Sequence, residues 1–244
     1  MKAVIFSGTS EGRTLSRAVA ALGADVTVCV ATDLGAEEQG CAPGITVRAG
    51  RLDAGEMTAL LQGAALCVDA THPYATEATR NIRAAATAAG VAYHRLLRPA
   101  SALPAGSVVL ETAAQAAAYL AAKPGNVLLA TGAKELPAFA ALDPARLYPR
   151  VLPTLAGITA CEAAGIPHRN IIAMQGPFTL ELNVALLRQF AIAAMVTKDG
   201  GAAGGFAEKA EAAARCDVQL IVLRRPEEQG ENAETILQRC RELL

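Results

Sequence analysis

Short apolar runs, each about five residues long, alternate with stretches of helical spacing from one end of this chain to the other. That alternation is the feature that most narrows the fold, because it is the pattern of βα repeats built into a mostly parallel sheet. Strands are expected at Lys2–Phe6, Asp25–Val30, Ile45–Ala49, Leu66–Asp69 and Val91–Leu97, the last ended by Arg98-Pro99. The rhythm continues through Ser107–Leu110, Val127–Ala130, Leu147–Leu152, Ile171–Met174, Ala193–Val196 and Val218–Leu223. Helices are expected at Thr14–Leu22, 54–62, 76–89, 113–122 and 232–243, with Gly23 and Gly90 as C-terminal caps. Lys123-Pro124-Gly125-Asn126 breaks the rhythm and reads as a hinge. The expected architecture is α/β: two doubly wound Rossmann-like domains, 1–123 and 127–244, with mostly parallel sheets and an interdomain cleft.

Composition narrows the function. With 52% apolar and 18% charged residues in 244, the chain is long and apolar enough to bury a core for each domain. A net charge of −1 leaves no global basic field for nucleic acid or an anionic membrane. A polyanionic ligand must therefore meet locally clustered Lys and Arg. Six cysteines without a C-x-x-C, and only three histidines, argue against a metal shell or a disulfide framework. No apolar run reaches the ~18 residues of a membrane span, and the N-terminus is a strand rather than a signal peptide. A cytoplasmic protein with reduced thiols is the expectation.

In open α/β sheets the ligand crevice lies beyond the C-terminal ends of the strands, and the unusual loops of this chain all fall there. The first strand runs into Ser7-Gly8-Thr9-Ser10-Glu11-Gly12-Arg13, a glycine turn opening a helix, which can present backbone N–H groups and a positive helix end to a phosphate. Its G-x-x-x-G is shorter than the dinucleotide fingerprint G-x-G-x-x-G, so a ligand-free turn with Ser10 as a helix cap stands beside the phosphate reading. Asp33 follows the second strand near the place of a ribose-binding acid, and Arg51 follows the third, suited either to an adenosine 2′-phosphate or to plain solvent. Thr71-His72-Pro73-Tyr74 puts a stiffened turn with two functional rings at a strand end, as a cofactor wall, a general acid or a structural turn.

Lys134, Lys198 and Lys209, with Arg150, Arg224 and Arg225, bring positive charge to the ligand edge of the second domain, which suits a substrate with several carboxylates, although each alone reads as solvated. Gly200, Gly201, Gly204 and Gly205 surround two alanines in a backbone-exposing loop apt for a lid or an anion nest. Tyr119 and Lys123 match the Y-x-x-x-K of short-chain dehydrogenases, but they end an alanine-rich helix without a serine partner and read as a surface pair.

Taken together in order, five pieces resemble one family, the precorrin-6A reductases of cobalamin biosynthesis, including the cobalt-precorrin-6A reductases. They are Gly8–Arg13, Asp69–Ala75, Thr131–Lys134, Met174–Phe178, and Thr197–Gly200 leading to Gly204–Lys209. Gly200 stands where that family usually has serine. The resemblance implies reduction of one double bond of a ring-contracted tetrapyrrole by NADPH, or by NADH, giving precorrin-6B or its cobalt form. It implies a cofactor site at Gly8, Thr9, Ser10, Glu11, Gly12, Arg13, Asp33, Arg51, Thr71, His72 and Pro73. It implies a substrate site at Tyr74, Lys134, Gln175, Gly176, Lys198, Gly205, Phe206 and Lys209. His72, Tyr74, Lys198 and Asp199 would assist the chemistry, with no metal held by the protein. The rival readings are another Rossmann-type enzyme, a short-chain dehydrogenase or a methyltransferase, and a non-catalytic nucleotide-binding module. Contacts with neighbouring pathway enzymes have no visible signal.

Overall fold

The computed structural model describes residues 1–97, 101–201 and 204–244; the Arg98-Pro99 strand end and the two alanines of the glycine loop lie outside the described residues. The chain forms two compact units, Met1–Arg98 with Pro226–Leu244, and Pro99–Arg225.

In the first unit, strands β1 (Lys2–Phe6), β2 (Asp25–Val30), β3 (Ile45–Ala49), β4 (Leu66–Asp69) and β5 (Tyr93–Arg95) form a parallel sheet in the order β3-β2-β1-β4-β5. The helices are α1 (Ser10–Ala21), α2 (Asp33–Gln39), α3 (Ala54–Leu61) and α4 (Thr76–Ala89). Side chains of a strand alternate between faces, and both faces here are covered. Ala3 and Ile5 pack with Leu15 and Val19 of α1, while Val4 and Phe6 pack with Met57, Leu61 and Ile82 of α3 and α4. Double coverage is why these strands are apolar throughout. The chain goes from β1 out to β2 and β3, then returns to β4 on the other side of β1. The topological switch point therefore lies between β1 and β4.

Helix α1 begins four residues earlier than its apolar spacing indicates, and its cap is Thr9 rather than Ser10. Thr9 is extended (φ −134°, ψ 157°), and its Oγ1 accepts the Gly12 N–H at 3.1 Å and donates to the Ala70 carbonyl at 3.1 Å. Asp33, expected in a loop, is the first residue of the short α2, which Thr32 caps.

The second unit contains β6 (Val108–Leu110), α5 (Ala113–Ala121), β7 (Asn126–Ala130), β8 (Leu147–Val151), α6 (Leu155–Ala163), β9 (Ile172–Ala173), α7 (Leu180–Gln189), β10 (Ile192–Lys198), α8 (Phe206–Arg215) and β11 (Gln219–Leu223). Its strands are parallel in the order β6-β11-β10-β7-β8-β9, with the switch point between β7 and β10. The chain then returns to the first unit with α9 (Ala233–Leu243).

The expected division at 123–127 is corrected by this arrangement. Strand β6 pairs with β11, and Ala113, Ala116, Ala117 and Leu120 of α5 share a core with Val127 and Leu129, so residues from 99 onward belong to the second unit. At the other end, Ile236 and Cys240 of α9 are fully buried with Ile5, Leu15 and Val19, so the last residues belong to the first. Lys123-Pro124-Gly125-Asn126 is no hinge but a latched turn: Arg146 donates to the carbonyls of Gly125 (2.8 Å) and Lys123 (2.6 Å). No helix among the described residues is long and apolar enough to cross a membrane.

Candidate active site

Each unit places its polar loops at its own switch point. In the first, Gly8 has a φ of +152° with no atom within 4 Å of where a Cβ would sit, so the backbone after β1 is open on that side. Gly12 is the opposite case. A Cβ there would lie 2.6 Å from Ser7 Oγ and 2.9 Å from Ala70 Cβ, so only glycine lets α1 start this close to the end of β4. The turn thus presents the first backbone amides of α1 beside β4, where an anionic group is favoured. Arg13 adds charge but shares it with Glu38 at 3.3 Å, and Ser10 donates to Glu11 at 3.2 Å. Asp33 and Arg51 lie exposed beyond the ends of β2 and β3. The structure brings the Gly8–Arg13 and Thr71–Pro73 turns together, through Ala70, whereas among the described residues no hydrogen bond or ion pair joins Asp33 or Arg51 to either turn.

Beneath the second of these turns is a network the sequence reading missed. Asp69, fully buried at the end of β4, accepts from Thr71 Oγ1 (2.7 Å), the Thr71 N–H (3.0 Å), Tyr93 Oη (3.0 Å) and Arg95 Nη1 (3.0 Å). Arg95 also donates to the carbonyls of Asp69 and Thr71 and, through Nε at 3.0 Å, to Glu228. Burial, and next the Asp69 charge, push the Tyr93 hydroxyl well above its ordinary pKa, so it remains a donor. The one signal in the sequence was an aspartate closing an otherwise apolar strand. Above the network, Pro73 is buried and His72 and Tyr74 are half-buried, their rings 5.5 Å apart. His72 Nδ1 accepts the Tyr74 N–H at 3.3 Å, which places the proton of the neutral imidazole on Nε2.

At the second switch point, Lys134 is exposed, and Lys198 is not a bare cation but an ion pair with Glu135 at 2.6 Å, tying the loop after β10 to the loop after β7. Thr131 Oγ1, at the end of β7, is buried and has no hydrogen-bond partner among the described residues. Asp199 is buried; burial raises its pKa, but N–H groups of Ser101 and Gly201 at 3.0 Å and the Arg225 charge outweigh this and hold the carboxyl below its ordinary value. It is an ionised anchor of the loop. Gln175 and Gly176 are exposed beyond β9, and Arg224 is turned to Glu111 at 2.5 Å. Phe206 is corrected: at 2% exposure its ring belongs to the core with Leu128, Leu187 and Met195, anchoring α8 rather than facing a ligand. Gly205, just before it, has a φ of +61° and caps that helix without a side chain. Tyr119 and Lys123 pair with each other, ammonium 5.3 Å from the ring centre.

Two parallel α/β units, each with glycine-bearing polar loops at its switch point, define an α/β protein of Rossmann-like build. Within that class the chain belongs to the precorrin-6x reductase family CbiJ/CobK, whose family model matches residues 2–241. It is 37% identical over 230 residues to the cobalt-precorrin-6A reductase of Priestia megaterium, across 91% of this chain and 90% of that one. It is 35% identical over 229 residues to the cobalt-precorrin-6A reductase of Salmonella typhimurium, across 91% and 87%. The solved CobK precorrin-6A reductase has the same fold, with a TM-score of 0.81 over 99% of this chain and 97% of that chain at 24% identity. The protein is an oxidoreductase of cobalamin biosynthesis, and its family uses a nicotinamide cofactor.

Proposed function

We propose that this protein reduces cobalt-precorrin-6A to its 6B form with NADPH, the pyrophosphate lying on the Gly8–Arg13 turn. The carrying observation is the open backbone at Gly8 beside the first amides of α1, at the switch point of the first sheet. The cobalt form is favoured because the Priestia megaterium and Salmonella typhimurium relatives, each matched along most of its length, both bear that name. The nicotinamide, when bound, supplies the hydride. The chain's own part is orientation and charge. The buried Asp69–Arg95 pair fixes the turn that carries His72 and Tyr74, and Lys198 and Glu135 hold the second unit's loops in register. Among the named polar groups Asp199 is kept ionised and cannot donate a proton, and a neutral His72 whose Nδ1 accepts the Tyr74 N–H can offer its Nε2–H only as a hydrogen bond. We therefore assign the proton to solvent, with His72 and Tyr74 assisting. Lys134, Gln175 and Gly176, exposed at the second unit's ligand edge, would meet the macrocycle.

The test is turnover of metal-free and cobalt-loaded precorrin-6A with NADPH and NADH, read as loss of nicotinamide absorbance and a gain of two hydrogens in product mass. No turnover in any of the four combinations, with nucleotide still bound, would sink the reductase reading and promote another Rossmann-type enzyme. The choice of NADPH rests on Arg51, which is exposed past β3 without an ion-pair partner among the described residues, whereas nearby Arg48 pairs with Glu56 at 3.5 Å. Arg51→Ala is expected to raise KM for NADPH about tenfold, the loss of one charge-assisted phosphate contact, and to leave KM for NADH unchanged. An equal rise for both cofactors would remove Arg51 from phosphate recognition.

A further inference from the structure

Two cations in the second unit lie where charge is normally absent. Arg150, at the end of β8, is 7% exposed, and Lys209, in the first turn of α8, is 8% exposed. Arginine and lysine are almost never buried this far unless paired. Among the described residues neither has a carboxylate within ion-pair distance.

Arg150 is held by neutral groups. Its Nη1 donates to Asn183 Oδ1 at 2.8 Å, and its guanidinium lies 4.0 Å from the centre of the Phe178 ring. Asn183, itself fully buried, is fixed by donating to the carbonyls of Phe178 and Thr179. Lys209 has no hydrogen bond from its ammonium at all among the described residues. First-turn side chains of a helix lean toward its N-terminus. The start of α8 packs on the segment whose ring Arg150 covers, since a Cβ at Gly205 would lie 3.7 Å from Pro177 Cβ and 3.8 Å from the Phe178 backbone nitrogen. The charges that act on this ammonium are those of Arg150, Asp199 and Glu208. Both acids favour the charged ammonium, but among the described residues neither forms an ion pair with it. Asp199 is engaged by the N–H groups of Ser101 and Gly201, and Glu208 Oε2 is buried without a hydrogen-bond partner among the described residues, 3.6 Å from where a Cβ of Gly205 would stand. Both cations belong to elements that meet the C-terminal edge of the second sheet, where its ligand crevice lies.

We infer that Arg150 and Lys209 form a buried two-cation subsite that takes one carboxylate side arm of the substrate. This rests on the reductase reading above, since it is the tetrapyrrole that brings several carboxylates. A carboxylate suits the pair, because the planar guanidinium can present two parallel N–H donors to it while the ammonium closes on a free lone pair. Burial, with help from Arg150, pushes the Lys209 ammonium down to about 8, and burial pushes Arg150 down to about 10. The sign of the pH effect follows. Lys209 has a lower pKa folded than unfolded, so its burden on the fold is complete below pH 8 and fades as pH rises beyond it. Carboxylate binding needs the charged form and weakens as pH rises through about 8.

Lys209→Met, which keeps the length and removes the charge, separates the possibilities. It is expected to raise the substrate Kd and KM ten- to a hundredfold, to leave KM for the nicotinamide unchanged, and to raise the melting temperature of the free protein. Lys209→Arg is expected to keep substrate affinity within a few-fold. In the unmodified enzyme the substrate Kd should weaken between pH 7 and 9, a readout that needs no variant to fold. A substrate Kd constant over that range, a Lys209→Met enzyme with unchanged substrate KM, or an equal rise in nicotinamide KM would each overturn the subsite. Turnover by the wild type with an indifferent Lys209→Met defeats the subsite alone. Binding of cobalt-precorrin-6A without turnover defeats the reductase reading and leaves the Kd test in force; neither binding nor turnover defeats both.

Discussion

Replacing Arg95 by methionine is expected to lower stability by about 3–5 kcal/mol, the usual cost of removing one partner from a buried ion pair. Asp69 is fully buried, the Arg95 side chain is 1% exposed, and the substitution would leave the carboxylate without the donor that neutralises it. It also strips the Thr71 carbonyl of its donor and Glu228 of its partner, and leaves the Asp69 carbonyl with the Leu96 N–H alone. The measurement is a urea melt, with the midpoint falling and the slope unchanged. Lysine at this position should recover only part of the loss, because a point charge cannot reproduce the fork that reaches Asp69, Thr71 and Glu228 together. A midpoint shift equivalent to less than about 1 kcal/mol would mean that water replaces the pair, and that the network is less enclosed than its geometry indicates.

Gly12→Val tests the first switch point through activity. The added carbons meet Ser7 Oγ at 2.6 Å, which can rotate away, and Ala70 Cβ at 2.9 Å, which cannot. The start of α1 must move away from β4. Overpacking of this kind costs about 1–3 kcal/mol, but if the Gly8–Arg13 turn holds the cofactor as proposed, its displacement by an ångström is expected to lower kcat/KM about a hundredfold. Steady-state kinetics with the nicotinamide varied would check this. Wild-type kinetics in the valine enzyme would take the Gly8–Arg13 turn out of the cofactor site.

These two sites differ in how far the sequence reveals them. Gly8 and Gly12 announce themselves, because a glycine turn between an apolar strand and an amphipathic helix has few other reasons to exist. The strands are equally plain: both faces of each sheet are covered, so Val4 and Ile5, or Leu128 and Leu129, are apolar side by side. The Arg95–Glu228 contact is invisible, since 133 residues separate its ends and either alone reads as a solvated charge. The unit boundary fails for the same reason: the three residues Val108–Leu110 look like a minor edge of whatever precedes them, and only their pairing with β11 assigns them. Phe206 reads as a loop ring because it follows a glycine run, yet the helix it opens turns it inward. Burial of Lys209 is likewise a property of the fold, not of its neighbours in sequence.

The path of the chain has a consequence for its birth on the ribosome. Every strand of the first sheet has emerged once Arg95 is out, but the helix that covers Ile5, Leu15 and Val19 with Ile236 and Cys240 is made only after the whole second unit. Residues 99–225, by contrast, hold all six strands of their own sheet before that helix exists. The usual N-terminal-first order of domain maturation is thereby inverted. The nascent first unit carries an uncovered apolar strip through the whole synthesis of the second, and seals it only once Ala233–Leu243 has been made.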